Sequence, residues 1–530
     1  MATTTTVPAA LARAAERFGD GEALVDPNGA EPVRLSWRAL LAETRVVARM
    51  FTAQAVRPGD RVAICAPNTA HWALAALGAL SIGATLVPIN TRFTGPEMLD
   101  IIRRTKAVAL VVAGPFLGVD RLTQLRSAAA ELPGTDTDPV PGVPHLRTVL
   151  RVPVEPLAPE PKTLAWSEIP ALAAAVAEDT VEELAAAVQP DQIADILFTS
   201  GTTGRSKGAM SAHRQSLAVA QAWAARGELT AEDRYLVINP FFHSFGYKAG
   251  ILACVHSGAT IVPQPVFDVA RAAELVESER ISVLPGPPTI YQSIMDDPEL
   301  SARKLDSLRL AVTGAATVPV ALIERMRREL SFRTVLTAYG LTEAVVATMC
   351  VPGDDPDTVA RTSGRPTADF DLRIGDSGEI LLRGPNVMLG YLDDPQATAQ
   401  AVDAQGWLHT GDVGTVDEQG YLTITDRLKD MYICGGFNVY PAEVEQVLAT
   451  LPGVAECAVI GVPDTRMGEV GRAYLVPGPH AQLSTADVIG FCRERLANYK
   501  VPRQVELRDQ LPHNASGKIL KRLLREENGT

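Results

Sequence analysis

From Val62 to Thr91 the chain carries no Asp, Glu, Lys or Arg. An apolar run of that length could form a membrane-spanning helix. Pro67, Asn68, His71, Gly78, Gly83 and Pro88 punctuate it, however, and divide it into short pieces. We read a strand at Val62–Ala66, a helix at Thr69–Ser81 closed by Gly83, and a strand at Thr85–Pro88. Strands that are apolar throughout are covered on both faces, as in parallel sheets packed under helices. The segment therefore predicts a buried α/β unit and not a membrane span.

The same alternation continues along the chain. Short β-branched runs stand at Ala109–Val112, Arg234–Asn239, Thr260–Val262, Ser282–Leu284 and Leu308–Thr313. Helical patterns stand at Leu99–Arg104, Val269–Glu277 and Val320–Glu329. Such alternation implies mostly parallel sheets with helices on their faces. Pro133–Pro161 reads as an irregular connector, and Thr180–Val188 as an acidic helix. After Gly364 the pattern changes to short strands and turns at Phe370–Ile374, Gly378–Arg383 and Tyr421–Thr425. We expect an α/β protein with a large N-terminal domain, residues 1–428, of parallel-rich sheets flanked by helices. It would include a small β-barrel-like subdomain, an antiparallel barrel or sheet, at about 365–425. A small α+β C-terminal domain, residues 429–530, would follow the charged stretch Asp426–Asp430. Its elements are a helix at Pro441–Ala449, strands at Val454–Ile460 and Arg472–Pro477, and a helix at Thr485–Leu496.

With 530 residues the chain has length for more than one domain. A net charge of −13 argues against nucleic acid and against an anionic membrane surface as partners. The six cysteines are scattered, without metal-ligand spacing, so reduced thiols in a reducing cytoplasm are expected. The N-terminus lacks a signal-peptide pattern. A homodimer is the base-rate expectation for oligomeric state.

Four short segments carry chemistry. In Thr199-Ser200-Gly201-Thr202-Thr203-Gly204-Arg205-Ser206-Lys207-Gly208 a strand-like lead-in runs into hydroxyl residues, glycines and a lysine. Glycine backbones approach anions closely, hydroxyls donate hydrogen bonds, and lysine adds charge. The spacing is not that of a Walker A loop, so the segment reads as a polyphosphate clamp of another kind. Against this, such clusters are often plain flexible loops. In Thr337–Glu343, Tyr339 can stack on a base, Thr342 can bond a phosphate, and Glu343 can hold Mg²⁺, which often takes only one or two protein carboxylates; taken alone, a strand end with one exposed acid is the favoured reading. In Gly406–Asp412, Asp412 can accept ribose hydroxyls, with Arg427 near in sequence; a simple turn is the alternative. In Pro512–Lys518, Lys518 on a glycine-containing loop would in isolation be a surface lysine.

Taken in order, these segments resemble the acyl-adenylate-forming superfamily of acyl-CoA synthetases, luciferases and peptide-synthetase adenylation domains. Asn239-Pro240-Phe241-Phe242-His243, Asp426–Asp430 and Gly435–Glu443 complete the set, and the resemblance covers essentially the whole chain. It implies an AMP-forming carboxylate–CoA ligase using ATP, Mg²⁺ and coenzyme A. Thr199–Lys207, including Ser200, Gly201, Thr202, Thr203 and Gly204, would hold the β/γ-phosphates. Gly314, Ala315, Ala316, Tyr339 and Gly340 would frame adenine. Thr342 and Glu343 would manage the α-phosphate and metal, and Asp412 and Arg427 the ribose. Lys518 would bridge the acyl carboxylate and the α-phosphate. Lys429 would be the hinge about which a mobile C-terminal domain turns. Gly435 and Gly436 would then sit beside the pantetheine arm, and His243 would gate the passage between acyl pocket and thiol tunnel.

The resemblance places the acyl pocket at Phe245, Tyr247, Lys248, Gly286, Pro287, Tyr291 and Ala338, with Gly314, Ala315 and Ala316. The small residues there would leave width. Lys248 reads either as an exposed lysine or as a reader of a substrate oxygen. Phe241–Gly250 and Gly435–Pro441 look like actinobacterial ligases for ring-bearing, steroid- or terpenoid-derived acids. A bulky alicyclic small-molecule acid is therefore expected over a medium or long fatty chain. The alternatives are transfer to a carrier protein or partner enzyme, and a non-enzymatic nucleotide-binding module.

Overall fold

The apolar run reads out as a buried layer. In a computed structural model of the chain, a strand at Arg61–Cys65 leads to a helix at Ala70–Ser81 and then a strand at Thr85–Pro88. Thr69 starts the helix, its hydroxyl accepting from the Trp72 N–H at 3.3 Å. Trp72, Leu77 and Leu80 are buried almost completely. Burying each such side chain stabilises by about 1.5–3 kcal/mol, so the absence of charge is a packing requirement. Among the described residues no helix is long and apolar enough to cross a membrane.

The structure describes all residues except 1–4, 30–31, 156–158, 200–205, 298–304, 315–319, 376–377, 428–430, 479–480, 482, 513–518, 520 and 529–530. One sheet has eight strands. Its order is Gly390–Tyr391, Lys207–Ala212, Ile193–Thr199, Thr85–Pro88, Arg61–Cys65, Ala109–Ala113, Thr148–Val152 and Leu164–Ala165. The pairs from Ile193–Thr199 onward are parallel. A second parallel-rich sheet contains Thr260–Pro263 and Arg234–Val237, then Leu310–Gly314 and Thr334–Tyr339. Val283 bridges its halves, pairing in parallel with Tyr235 and Leu310. The expected strand at Ser282–Leu284 is thus reduced to one bridging residue.

Thr148–Val152 is a fully buried strand inside the stretch expected to be irregular. Its Arg151 is tolerated there because Asp120 and Glu160 both pair with it. The antiparallel region forms a four-stranded sheet in the order Asp371–Ile374, Glu379–Arg383, Leu408–Val416, Leu422–Arg427. No pairing between its outer strands is present among the described residues, so of the two expected forms, antiparallel barrel or sheet, it is the open sheet.

The chain divides into two compact units. The first comprises Met1–Thr91, Leu99–Leu197 and Ala209–Thr425; the second comprises Arg92–Met98, Phe198–Gly208 and Asp426–Thr530. In the second, Val454–Asp464 and Gly468–Pro477 form a long antiparallel hairpin. Tyr432–Cys434 pairs with it on one side and Gln504–Leu507 joins in parallel. The hairpin strands are longer than expected because pairing continues to Asp464↔Gly468 at the turn. Helices occur at Pro441–Ala449 and Thr485–Arg495.

Candidate active site

The Thr337–Glu343 motif sits at the end of a parallel strand, where α/β sheets hold their ligands. The strand Thr334–Tyr339 pairs with Leu310–Gly314. It delivers Tyr339, whose hydroxyl donates to Asp412 Oδ2 at 2.6 Å. The residues expected to face adenine and ribose are therefore directly bonded to each other. The chain then turns sharply. A Cβ on Gly340 would lie 1.7 Å from the Val345 carbonyl oxygen, so only glycine fits. Val345 has φ +61°, a costly conformation for a β-branched residue. This strained turn presents the half-buried Thr342 and Glu343. The Glu343 carboxylate accepts from the Tyr391 hydroxyl at 2.6 Å. Thr342 and Glu343 offer hard oxygen donors, which suit a divalent cation such as Mg²⁺.

The strands Ile193–Thr199 and Lys207–Ala212 bracket the glycine-rich loop. Thr199 and Lys207 lie at its two ends, and the Thr199 hydroxyl donates to the Lys207 carbonyl at 3.4 Å. Asp195 is fully buried in the first strand. Lys248 Nζ lies 2.9 Å from its Oδ1, and the Ser216 hydroxyl donates to its Oδ2 at 2.7 Å. The same ammonium donates to Ser211 Oγ, on the second strand, at 2.9 Å. Lys248 is 1% exposed. The expectation of an exposed lysine is wrong. Nor is its ammonium aimed at an acyl group: it is spent on the two strands that frame the loop. Asp195, Ser211 and Ser216 were missed from sequence. The cue was present, since a lone Asp in an apolar strand requires a buried partner.

Lys248 lies in a π-helical turn, Tyr247–Leu252, that follows the His243 segment. Such turns are rare and concentrate at functional sites. His243 caps the short helix Ser244–Gly246, its Nδ1 accepting from the Phe245 N–H at 3.3 Å. Its ring is exposed to solvent, and desolvation by the protein around it lowers its pKa and favours the neutral imidazole. Phe245 is half-buried edge-on against Trp223, with centroids 5.0 Å apart.

The small pocket residues do not all provide width. A Cβ on Gly314 would lie 2.3 Å from the Ala338 carbonyl oxygen, and one on Gly286 would lie 2.9 Å from Ile290 Cδ1. Their smallness is consumed by neighbouring strand and side chain. Tyr247 and Tyr291 are fully buried, and the Tyr291 hydroxyl donates to the Leu284 carbonyl at 2.8 Å. Pro287 and Ala338 remain half-buried.

In the second unit, Gly435 and Gly436 form the exposed two-residue turn between Tyr432–Cys434 and Phe437–Val439. Both have positive φ, +57° and +83°, as the tight hairpin turn demands. Lys500, also missed from sequence, is 2% exposed. It lies 2.8 Å from Glu97 Oε1 and 2.6 Å from Glu443 Oε1. Ser200, Gly201, Thr202, Thr203, Gly204, Ala315, Ala316, Lys429 and Lys518 lie outside the described residues, as does the side chain of Arg427.

Comparison with known proteins gives one picture. Residues 11–392 match the model of the AMP-binding enzyme family, and residues 443–518 match the AMP-binding enzyme C-terminal domain. A 7a-methyl-1,5-dioxo-octahydro-1H-inden-4-yl propanoyl:CoA ligase of Rhodococcus jostii (strain RHA1) is 58% identical over 524 residues, covering 99% of each chain. The ligase of the same description from Mycobacterium tuberculosis (strain ATCC 25618 / H37Rv) is 56% identical over 522 residues, covering 98% of each. Among solved structures, an amide bond synthetase from Marinactinospora thermotolerans superposes with a TM-score of 0.81 at 28% identity, covering 98% of this chain and 99% of that one. An o-succinylbenzoate CoA synthetase from Bacillus subtilis gives a TM-score of 0.79 at 27% identity, covering 98% of each. With one family match across most of the first unit and its companion within the second, this chain belongs to the AMP-binding enzyme family.

Proposed function

We propose that this protein is an AMP-forming CoA ligase for a bulky, ring-bearing carboxylic acid, of the kind named for its Rhodococcus jostii relative. The observation that carries this reading is 58% identity over 99% of both chains to that ligase. The bonded Tyr339–Asp412 pair and the Glu343 turn at one strand end support the nucleotide half of it.

In the first half-reaction a carboxylate oxygen bonds to the α-phosphorus and pyrophosphate leaves. Both reactants are anionic, so the enzyme must supply positive charge and donors where charge accumulates, an effect worth about 10²–10³ in rate per group. Lys518 would lie between carboxylate and α-phosphate. Thr199, Lys207 and the loop between them would hold the leaving phosphates. Glu343 and Thr342 would hold Mg²⁺, which when bound neutralises phosphate charge. Tyr339, Asp412 and Arg427 would fix the nucleoside. In the second half-reaction a thiol bonds to the acyl carbon, AMP leaves, and the thiol proton passes to solvent or phosphate. A free thiol has a pKa of about 8.5, so some thiolate is present without a dedicated base. His243 and Phe245 would line the approach, and Gly435-Gly436 would pass the pantetheine arm after rotation about Lys429.

The test is substrate competition. The purified protein, ATP and CoA are combined with the methyl-dioxo-octahydroindenyl propanoate, ferulate or palmitate, and AMP, pyrophosphate and acyl-CoA are measured. The bicyclic acid should give all three products with the highest kcat/KM. Preferential use of palmitate would overturn the substrate class, and pyrophosphate release without thioester would overturn the acceptor.

A further inference from the structure

We propose that Tyr391 is a positioning residue that holds Glu343 in a one-oxygen binding mode for the nucleotide-bound metal. This rests on the reading of Glu343 as the metal carboxylate and extends it to a residue outside every motif. The placement is specific. Gly390–Tyr391 is a two-residue strand paired with Ala209 and Met210, on the strand that leaves the phosphate loop. The Tyr391 N–H donates to Thr398 Oγ1 at 2.9 Å, which fixes the base of the side chain. Its hydroxyl donates to Glu343 Oε1 at 2.6 Å. Three residues earlier, the Met388 N–H donates to the Glu343 carbonyl at 2.8 Å. One short segment thus grips both the main chain and the side chain of Glu343 and is itself tied to the loop-exit strand.

The chemistry follows from the carboxylate. With Oε1 accepting a phenol proton, Oε2 is the oxygen left for a cation, and bidentate chelation is disfavoured. Mg²⁺ needs near-octahedral geometry and keeps most of its remaining positions for water and phosphate, so a carboxylate limited to one oxygen suits it. Hydrogen-bond partners of metal ligands fix ligand orientation, and losing one typically weakens metal binding about 10–100-fold.

A matched control exists in the same unit. The Tyr421 hydroxyl donates to Asp354 Oδ1, also at 2.6 Å, with no part in the proposed chemistry. Mn²⁺–ATP is titrated onto the full-length protein and binding is followed by electron paramagnetic resonance, alongside KM for ATP and kcat. Tyr391→Phe should weaken Mn²⁺–ATP binding roughly tenfold and raise KM for ATP more than it lowers kcat. Tyr421→Phe should leave the binding at the wild-type level. If Glu343→Gln weakens binding but Tyr391→Phe does not, the positioning role is wrong while the metal reading stands. If Glu343→Gln itself binds like wild type, the metal reading fails and the positioning role with it. Equal losses in Tyr391→Phe and Tyr421→Phe would reduce the effect to general destabilisation and overturn the proposal.

Discussion

Among the described residues two lysines are buried almost completely, one in each unit, and they are neutralised differently. Among the described residues Lys248 pairs with one carboxylate, Asp195, and donates to Ser211 Oγ. Lys500 lies between two, Glu97 and Glu443. The first arrangement balances charge one to one; the second carries a surplus negative charge. Burial, reinforced by neighbouring Glu97 and opposed by Lys500, raises the pKa of Glu443. Its Oε2 is buried with no hydrogen-bond partner among the described residues. The lesson is that equal burial does not mean equal dependence on each partner. Removing one member of a balanced pair strands a charge, whereas removing one of two competing carboxylates relieves a surplus.

That difference can be broken by substitution. The largest effect is expected at Asp195→Asn, which leaves the Lys248 ammonium buried without a counter-charge. Losses of about 3–5 kcal/mol are typical when a buried pair loses one member, read as a lower denaturant midpoint at unchanged slope. The double variant Asp195→Leu with Lys248→Met should recover most of that loss, because an apolar pair of similar size removes both desolvation costs. If it is no better than the single variant, the cost lies in packing and not in charge.

Glu443→Gln should change stability by less than about 1 kcal/mol at neutral pH, since Glu97 still faces Lys500. The pH dependence has a definite sign. An acid whose pKa is raised on folding contributes stability below its ordinary value, 4.5, and loses it as pH rises through the raised one. The wild type should therefore gain stability relative to Glu443→Gln as pH falls toward 4.5. Denaturant midpoints of the two proteins across pH 4–8 check this, and a gap moving the opposite way would show that Glu443 is not the surplus group.

The same contrast explains what the sequence made legible. Elements built on apolar periodicity were readable: the helices Val320–Glu329 and Pro441–Ala449 and the strand Thr85–Pro88 begin and end where expected. Elements that depend on buried charge were not. Thr148–Val152 lay inside a proline-rich stretch read as an irregular connector, and the partners that let its Arg151 be buried, Asp120 and Glu160, come from other segments. Lys248 looked exposed because its partners, too, come from other segments. The Tyr339–Glu343 segment stood out only through the order of the segments around it; taken alone, its aromatic, glycine and acid read as a strand end with one exposed acid. Tyr391 was not legible, because a tyrosine after a glycine carries no periodic signal and acquires meaning only through a partner 48 residues away in sequence.

The central claim is that cationic groups let an anionic acid meet an anionic phosphate, after which the same site transfers the acyl group to a thiol. Single-turnover measurements on Lys518→Ala test it most directly, with the two half-reactions followed separately. Pyrophosphate release from acid and ATP should be abolished, while thioester formation from supplied acyl-AMP and CoA should continue near the wild-type rate. Equal loss of both half-reactions, or pyrophosphate release that survives the substitution, would contradict the account.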